Sequence, residues 1–288
     1  MKAGVSTYSF SRLMKQGILT QFETIGKAAE MGFDIIEFSN LFVPDGLSKE
    51  SYAKNVRLEC ERRGIGIGNY TIGADFLDCE GSDWKKEVER LKAEVDIAVI
   101  LGSTGMRHDA TKGYPSSKKG ATGFDNALPL LIEACREVTE YAAGKGIRTM
   151  VENHGFFCQD SIRVESLING VDHENFGVLL DIGNFLCVDE DPPIAVGRLA
   201  RHISHVHVKD FHYKKGDEPD PGKGWFRTRG GSYLRGSVLG HGQVPVKQCL
   251  DIIKRSGYDG VVSIEFEGME DPLEALEIGL ENLKKYWA

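Results

Sequence analysis

Residues 148–154 read RTMVENH, residues 177–184 GVLLDIGN, residues 203–210 ISHVHVKD and residues 261–268 VVSIEFEG. Each is a short apolar run, rich in β-branched residues, that ends on a carboxylate or an imidazole: Glu152, Asp181, His207 and Glu265. Such runs read as strands buried on both faces, the kind that parallel sheets contain. Working outward, similar runs lie at residues 3–7, 34–38, 64–69 and 105–108. Amphipathic stretches at 20–31, 83–101, 126–144, 246–256 and 272–286 separate most of them, with weaker helical patterns at 161–169 and 185–199. Ser82 is the expected N-cap of the second of these stretches, and Gly257 is the expected stop of the stretch ending at 256. Strand–helix alternation implies a parallel sheet, and eight such units in 288 residues have the size of a (β/α)8 barrel. A doubly wound open sheet would be expected to carry a glycine-rich turn after its first strand; Thr7-Tyr8-Ser9-Phe10 stands there instead. The expected fold class is α/β, one (β/α)8 TIM barrel domain over residues 1–288.

One segment breaks the rhythm. Residues 211–240, after the proposed seventh strand, show no hydrophobic period and are rich in Gly and Pro. They carry Tyr213, Trp225, Phe226 and Tyr233 beside Arg227, Arg229 and Arg235. A loop of this length inside a compact domain reads as a lid over the barrel mouth. Its arginines would bind a phosphate or carboxylate, or pair with the chain's surplus acids. Trp225 and Arg235 are its candidate substrate contacts.

Lys plus Arg number 35 against 43 Asp plus Glu, a formal net charge of −8, which argues against a nucleic-acid binder. The six cysteines are scattered without a CxxC pair, so they read as small buried hydrophobes rather than a metal or redox motif. The N-terminal residues show no apolar signal region, and no apolar run approaches a membrane span, so the expected location is the cytoplasm.

In (β/α)8 barrels, catalytic groups lie at the carboxyl ends of strands. Here four consecutive strands deliver Glu152, Asp181, His207 and Glu265 to one rim. Charged groups beside apolar strands are costly unless paired or metal-bound. Two Glu, one Asp and one His form an oxygen-rich donor set suited to one divalent ion, Mn2+, Mg2+ or Co2+, with Zn2+ also possible. His205 and His207 point the same way in a strand; His207, nearer the rim, is the better ligand, and His205 reads as a core or supporting residue. Glu267 could stand in for Glu265. Glu37, at the end of the second strand, is expected to contact substrate or a lysine. His108, His154, Asn184 and Lys209 are further candidate substrate contacts, although Lys209 could equally pair with Asp210 at the rim.

The motifs VENHG, LLDIGN, HVHVKD and VLGHGQVP…GYDGVVSIEFEG…EDP, in that order, resemble the xylose isomerase-like barrel superfamily, which contains sugar isomerases and epimerases, inosose dehydratases and endonuclease IV. The resemblance is densest from Met150 onward. It implies a divalent metal held by Glu152, Asp181, His207 and Glu265, and two glutamates, Glu152 and Glu265, that exchange protons with a substrate carbon. The expected function is a sugar isomerase or epimerase acting on a ketose or keto-polyol through a cis-enediolate. The alternatives are an inosose-type dehydratase on the same site, a metal-dependent phosphodiesterase, and a non-catalytic sugar-binding barrel. The expected partner is a small sugar or polyol, with no nucleic acid or membrane, and a homo-oligomer is possible. Many members carry Asp-x-x-His on the sixth strand; here the motif is Asp181-Ile182-Gly183-Asn184, and an amide cannot act as a base at neutral pH.

Elemental mass spectrometry on gently purified protein is expected to find about one divalent ion per chain, lost in Asp181→Ala. Three zinc ions would instead indicate a nuclease, and no uptake of any divalent ion would remove the metal site.

Overall fold

The computed structural model describes residues 1–79 and 83–288; the expected cap at Ser82 lies outside them. Eight parallel strands close a barrel: β1 (Lys2–Ser6), β2 (Ile35–Ser39), β3 (Gly66–Ile72), β4 (Gly105–His108), β5 (Arg148–Glu152), β6 (Phe176–Asp181), β7 (Ile203–Val208) and β11 (Val261–Ile264). Their order around the barrel is β1-β11-β7-β6-β5-β4-β3-β2. The rim residues share a level because the registers align: Glu152 stands beside Leu179, Asp181 beside His207, and His207 beside Ser263. The barrel is thus the architecture expected from the alternation of strands and helices.

The major helices wrap the barrel as α2 (Gln21–Met31), α3 (Lys49–Arg63), α4 (Trp84–Leu101), α5 (Phe124–Ala143), α6 (Ser161–Val171), α7 (Pro192–Leu199), α8 (Val246–Arg255) and α9 (Pro272–Trp287), after a short α1 (Ser11–Lys15). Local chemistry sets their ends. Thr20 and Glu23 form a reciprocal capping box at the start of α2, and Gly32 ends it at φ +86°. Asp83 caps α4, its side chain accepting from the backbone N–H of Lys85. The sequence reading did not anticipate α3. Its sequence KESYAKNVRLECERR is polar almost throughout, yet Tyr52, Ala53, Val56 and Cys60 fall on one buried stripe. All six cysteines are free, and five of them are buried. No helix among the described residues is long and apolar enough to cross a membrane.

The segment expected to be a loop is a small antiparallel sheet. β8 (Asp210–Lys214), β9 (Phe226–Arg227) and β10 (Tyr233–Ser237) pair in the order β8-β10-β9. Its tip is tied to the neighbouring rim loops. Thr228 Oγ1 donates to Asp189 Oδ1 at 2.6 Å, and Arg229 donates from Nη1 to Asp160 at 3.0 Å and from its backbone N–H to Cys187 O at 2.8 Å. Arg227 lies over the Tyr233 ring at 4.4 Å. These arginines therefore pair within the protein. The expectation of an irregular lid gives way to a hydrogen-bonded sheet, because distant strands pair with one another where neither shows a period of its own.

Asp210 holds the root of this sheet. Its carboxylate is buried and accepts backbone N–H groups of Phe211 (2.8 Å), Gly240 (2.9 Å), Gly242 (2.8 Å) and Val244 (3.0 Å). Gly242 is required by this close approach, since a Cβ there would overlap Asp210 Oδ1 and Phe211 O. Asp210→Ala is expected to lower stability by about 3 kcal/mol or more, because several partly buried amides lose their acceptor together. Urea unfolding measures it; a midpoint equal to wild type would show that the turn holds without the carboxylate.

Candidate active site

The site stands where the apolar strands stop. Val151, Val178, Leu180, Val206, Val208 and Ile264 belong to the buried hydrophobic core, and the strand ends between and beyond them carry the ionisable groups. One donor atom from each of Glu152, Asp181, His207 and Glu265 lies within 4.8 Å of the others. The four expected rim residues are therefore brought together.

Each is held differently. Glu152 accepts on both oxygens: Arg107 Nε donates to Oε2 at 2.6 Å and Asn184 Nδ2 donates to Oε1 at 3.0 Å. Arg107 Nη2 reaches the same carboxylate and lies 3.2 Å from Asp109. Asp181 Oδ1 accepts the backbone N–H groups of Gly183 (2.8 Å) and Asn184 (3.0 Å), and the side-chain amide of Asn153, just past β5, donates to Asp181 O at 2.8 Å and accepts from the Asp181 N–H at 2.9 Å. Glu265 accepts from Ser6 Oγ at 3.2 Å and from Lys209 Nζ at 2.7 Å. Lys209, 4% exposed, also lies 3.2 Å from Asp181 Oδ2 and 3.9 Å from Glu267. It pairs with these carboxylates and not with Asp210.

The charges shift one another. Burial raises the Asp181 carboxyl to about 6 against the pull of Lys209, with Glu152 and Glu265 adding to the rise. Glu265 takes the opposite course: burial raises it, but Lys209 and His207 together hold it down to about 2. Burial lowers His207, yet Glu37 and Glu265 outweigh it and lift the imidazole to about 10. Lys209 stays charged despite its burial because Asp181 and Glu265 face it.

Two buried atoms in the middle of this array make no hydrogen bond, Asp181 Oδ2 and His207 Nδ1. They are 3.9 Å apart, and His207 Nδ1 is 3.7 Å from Glu265 Oε1. Buried donor atoms that face a common space without hydrogen bonds are what a cation site presents, and an ion held there would take the place of the proton on His207 Nδ1. Three carboxylates and one imidazole are a donor set for a divalent ion, so the residues fit the group that the sequence implies.

A cleft of about 420 Å3 opens above them, lined among others by Tyr8, Asn40, Arg107, His154, Lys209 and Glu267. A second lobe of about 290 Å3, reached past Tyr8 and His154, runs under Phe226 and Gly236 of the small sheet. His154 Nδ1 lies 3.1 Å from Asp109 Oδ1, which leaves Nε2 for the cleft. Burial lowers this imidazole's pKa, but Asp109 raises it further. Asp109 in turn is held at about 2 against burial, chiefly by Arg107.

Several expected contacts fall elsewhere. Glu37 is fully buried and touches neither a lysine nor the cleft; its carboxylate faces His205 and His207. His108 is on the opposite face of β4 from Arg107. It is buried edge-on to Phe76 (6.0 Å) and stacked on Phe176 (6.3 Å), with Nδ1 on Asp109 O. Trp225 and Arg235 pack on each other at 5.5 Å, and Arg235 lies 3.7 Å from Glu270, so neither lines the cleft. Sequence reasoning missed Arg107, Asp109, Ser6 and Tyr8. The signal for Arg107 was present in the alternation of Gly-Met-Arg-His, where one of the last two residues must face inward.

Residues 25–286 match the family described as xylose isomerase-like TIM barrel. An inosose dehydratase of Lacticaseibacillus casei is 28% identical over 154 residues, which span 52% of this chain and 50% of that protein. The structure is similar to that of a probable 3-DHS dehydratase, AsbF, from Bacillus anthracis (TM-score 0.74, 20% identity, 99% of both chains). It is also similar to that of an L-ribulose 3-epimerase (TM-score 0.73, 16% identity, 99% of this chain and 94% of that one). At these identities the structural likenesses show the fold. The match across residues 25–286, together with the closed eight-stranded barrel, places the chain in the xylose isomerase-like TIM barrel family.

Proposed function

We propose that the protein is a divalent-metal-dependent enzyme that removes a proton beside the carbonyl of a small keto-sugar or keto-polyol, and that the reaction completed is loss of water. The observation that carries the metal site is the convergence of Glu152, Asp181, His207 and Glu265 around two buried donor atoms without hydrogen bonds. When bound there, a divalent ion would polarise the substrate carbonyl as a Lewis acid and help to orient it.

The choice of reaction rests on an asymmetry between the two glutamates. Proton exchange by a pair of glutamates needs two carboxylates that alternate as acid and base. Glu152 accepts from Arg107 and Asn184 on its two oxygens and is 3% exposed, which suits it to binding rather than to proton transfer. Glu265 is 13% exposed, and beside the fixed charge of Lys209 it accepts from the Ser6 hydroxyl, a partner that can turn as the carboxylate gains or loses a proton. It is the base of this reading. The acid differs in kind: His154, oriented by Asp109, faces the cleft with its other ring nitrogen.

In the elimination, Glu265 takes the proton from the carbon beside the carbonyl, and the C–H electron pair moves into a carbon–carbon double bond. The C–O bond at the β-carbon then breaks, and the leaving hydroxyl departs as water with a proton from His154. Lys209 and Arg107 offset the negative charge that develops on the substrate oxygens. The L. casei dehydratase match agrees with this order of preference. Epimerisation is the second reading, favoured by the presence of both Glu152 and Glu265 in the four-donor cluster.

Glu265→Gln is expected to lower turnover by about 10²–10⁴-fold with the thermal midpoint retained; full activity would remove Glu265 as the base. Assays on inososes and ketoses in D2O separate the reactions. Dehydration yields a product lighter by one water with a new conjugated absorbance, and His154→Gln slows it. An epimer carrying one carbon-bound deuterium, formed equally well by His154→Gln, would establish the two-glutamate reading instead.

A further inference from the structure

Glu37 is the one fully buried carboxylate among the strand-end acids that lies outside both the cleft and the four-donor cluster. It sits on β2, and its carboxylate meets β7 across the barrel interior, since β1 and β11 separate these strands in the sheet. One of its oxygens accepts from His207 Nε2; the other lies 2.7 Å from His205 Nε2, which is itself 3.1 Å from Ser263 Oγ. The carboxylate therefore lies between two imidazoles, hydrogen-bonded to His207 and in close contact with His205. The ring of His207 then has a fixed polarity. Nε2 is committed to Glu37, while Nδ1 is buried, makes no hydrogen bond, and faces Asp181 Oδ2 at 3.9 Å and Glu265 Oε1 at 3.7 Å.

We infer that Glu37 is a positioning residue for the metal centre: it holds the Nε2–H form of the His207 ring and presents Nδ1 as the donor to a divalent ion. Without it the ring could turn over, and the unpaired Nε2–H would be buried in the barrel. A carboxylate on the far nitrogen of a ligating imidazole raises its basicity and fixes its orientation, and losing such a partner typically lowers metal affinity 10- to 100-fold. His205 shares the carboxylate and packs edge-on to the His207 ring with centroids 5.6 Å apart, but contributes no atom to the four-donor cluster. This makes it an internal comparison, a buried polar neighbour of Glu37 that is not a donor. The inference rests on the proposed reading of Glu152, Asp181, His207 and Glu265 as metal donors.

The experiment titrates Co2+ into wild type, Glu37→Gln and His205→Asn by calorimetry, following the cobalt absorption bands. Glu37→Gln is expected to bind about 10- to 100-fold more weakly, with altered bands, while His205→Asn stays close to wild type. Equal affinity in Glu37→Gln and wild type, or equal weakening in both variants, would overturn the positioning role and leave the metal site standing. Ring-nitrogen NMR on zinc-loaded wild type needs no variant to fold: it should show a protonated Nε2 and a metal-bound Nδ1 at His207, and zinc on Nε2 would overturn the inference. If wild type binds no Co2+ or Zn2+, the metal reading fails and this inference falls with it.

Discussion

The structure depends on ions of both signs being buried together at one end of an otherwise apolar barrel. Glu37, Glu152, Asp181, Arg107, His207 and Lys209 are all buried. Each would be costly there alone, and none is alone. Arg107 lies between Glu152 and Asp109, Lys209 between Asp181 and Glu265, and Glu37 between two imidazoles. Buried ion pairs seldom stabilise a fold more than apolar residues of equal size would. A rim built this way is therefore poorly explained by stability and well explained by chemistry that needs charged groups in a place from which water is largely excluded.

Placing these ions requires both faces of the strands. Along β7, Val206 and Val208 face the helical layer, while His205, His207 and then Lys209 follow one another on the inner side. The three inner groups meet different partners: His205 and His207 meet Glu37, and Lys209 meets the rim carboxylates. One strand thus connects the deep carboxylate to the cleft. The small sheet that follows begins at Asp210, the residue after Lys209, whose carboxylate gathers four backbone amides. The turn from β7 to the small sheet is fixed within two residues.

The barrel was legible because its strands are short apolar runs with abrupt polar ends, a pattern that little else produces. The four metal-donor candidates were legible for the same reason. What escaped depends on register or on distant pairing. In β4 the last two residues, Arg107 and His108, are both polar, and only the direction of the pleat decides which faces inward; His108 has the more ligand-like side chain and packs against Phe76 and Phe176. Glu37 was visible as a strand-end acid, but its partners are 168 and 170 residues away on a strand across the barrel. Helix α3 buries only a thin stripe of a charged sequence. The sheet of β8, β9 and β10 draws its order from cross-strand hydrogen bonds and from the ties of Thr228 and Arg229 to other loops.

Asn184 shows how one departure from the family's pattern fits the rest of the site. Its backbone N–H donates to Asp181, its carbonyl accepts from Gln159, and its side-chain amide donates to Glu152. A histidine at this position could gain or lose a proton, and its bond to Glu152 would change with pH. An amide donates at every pH. With Arg107 on the other oxygen, Glu152 accepts hydrogen bonds from both sides whatever the protonation of its surroundings. In the proposed reaction, proton transfer is thereby left to Glu265, which accepts from the Ser6 hydroxyl, and to His154, whose other ring nitrogen is oriented by Asp109. The proposed division of labour between two chemically identical glutamates rests on the donors around them, and one of those donors is the residue that departs from the pattern.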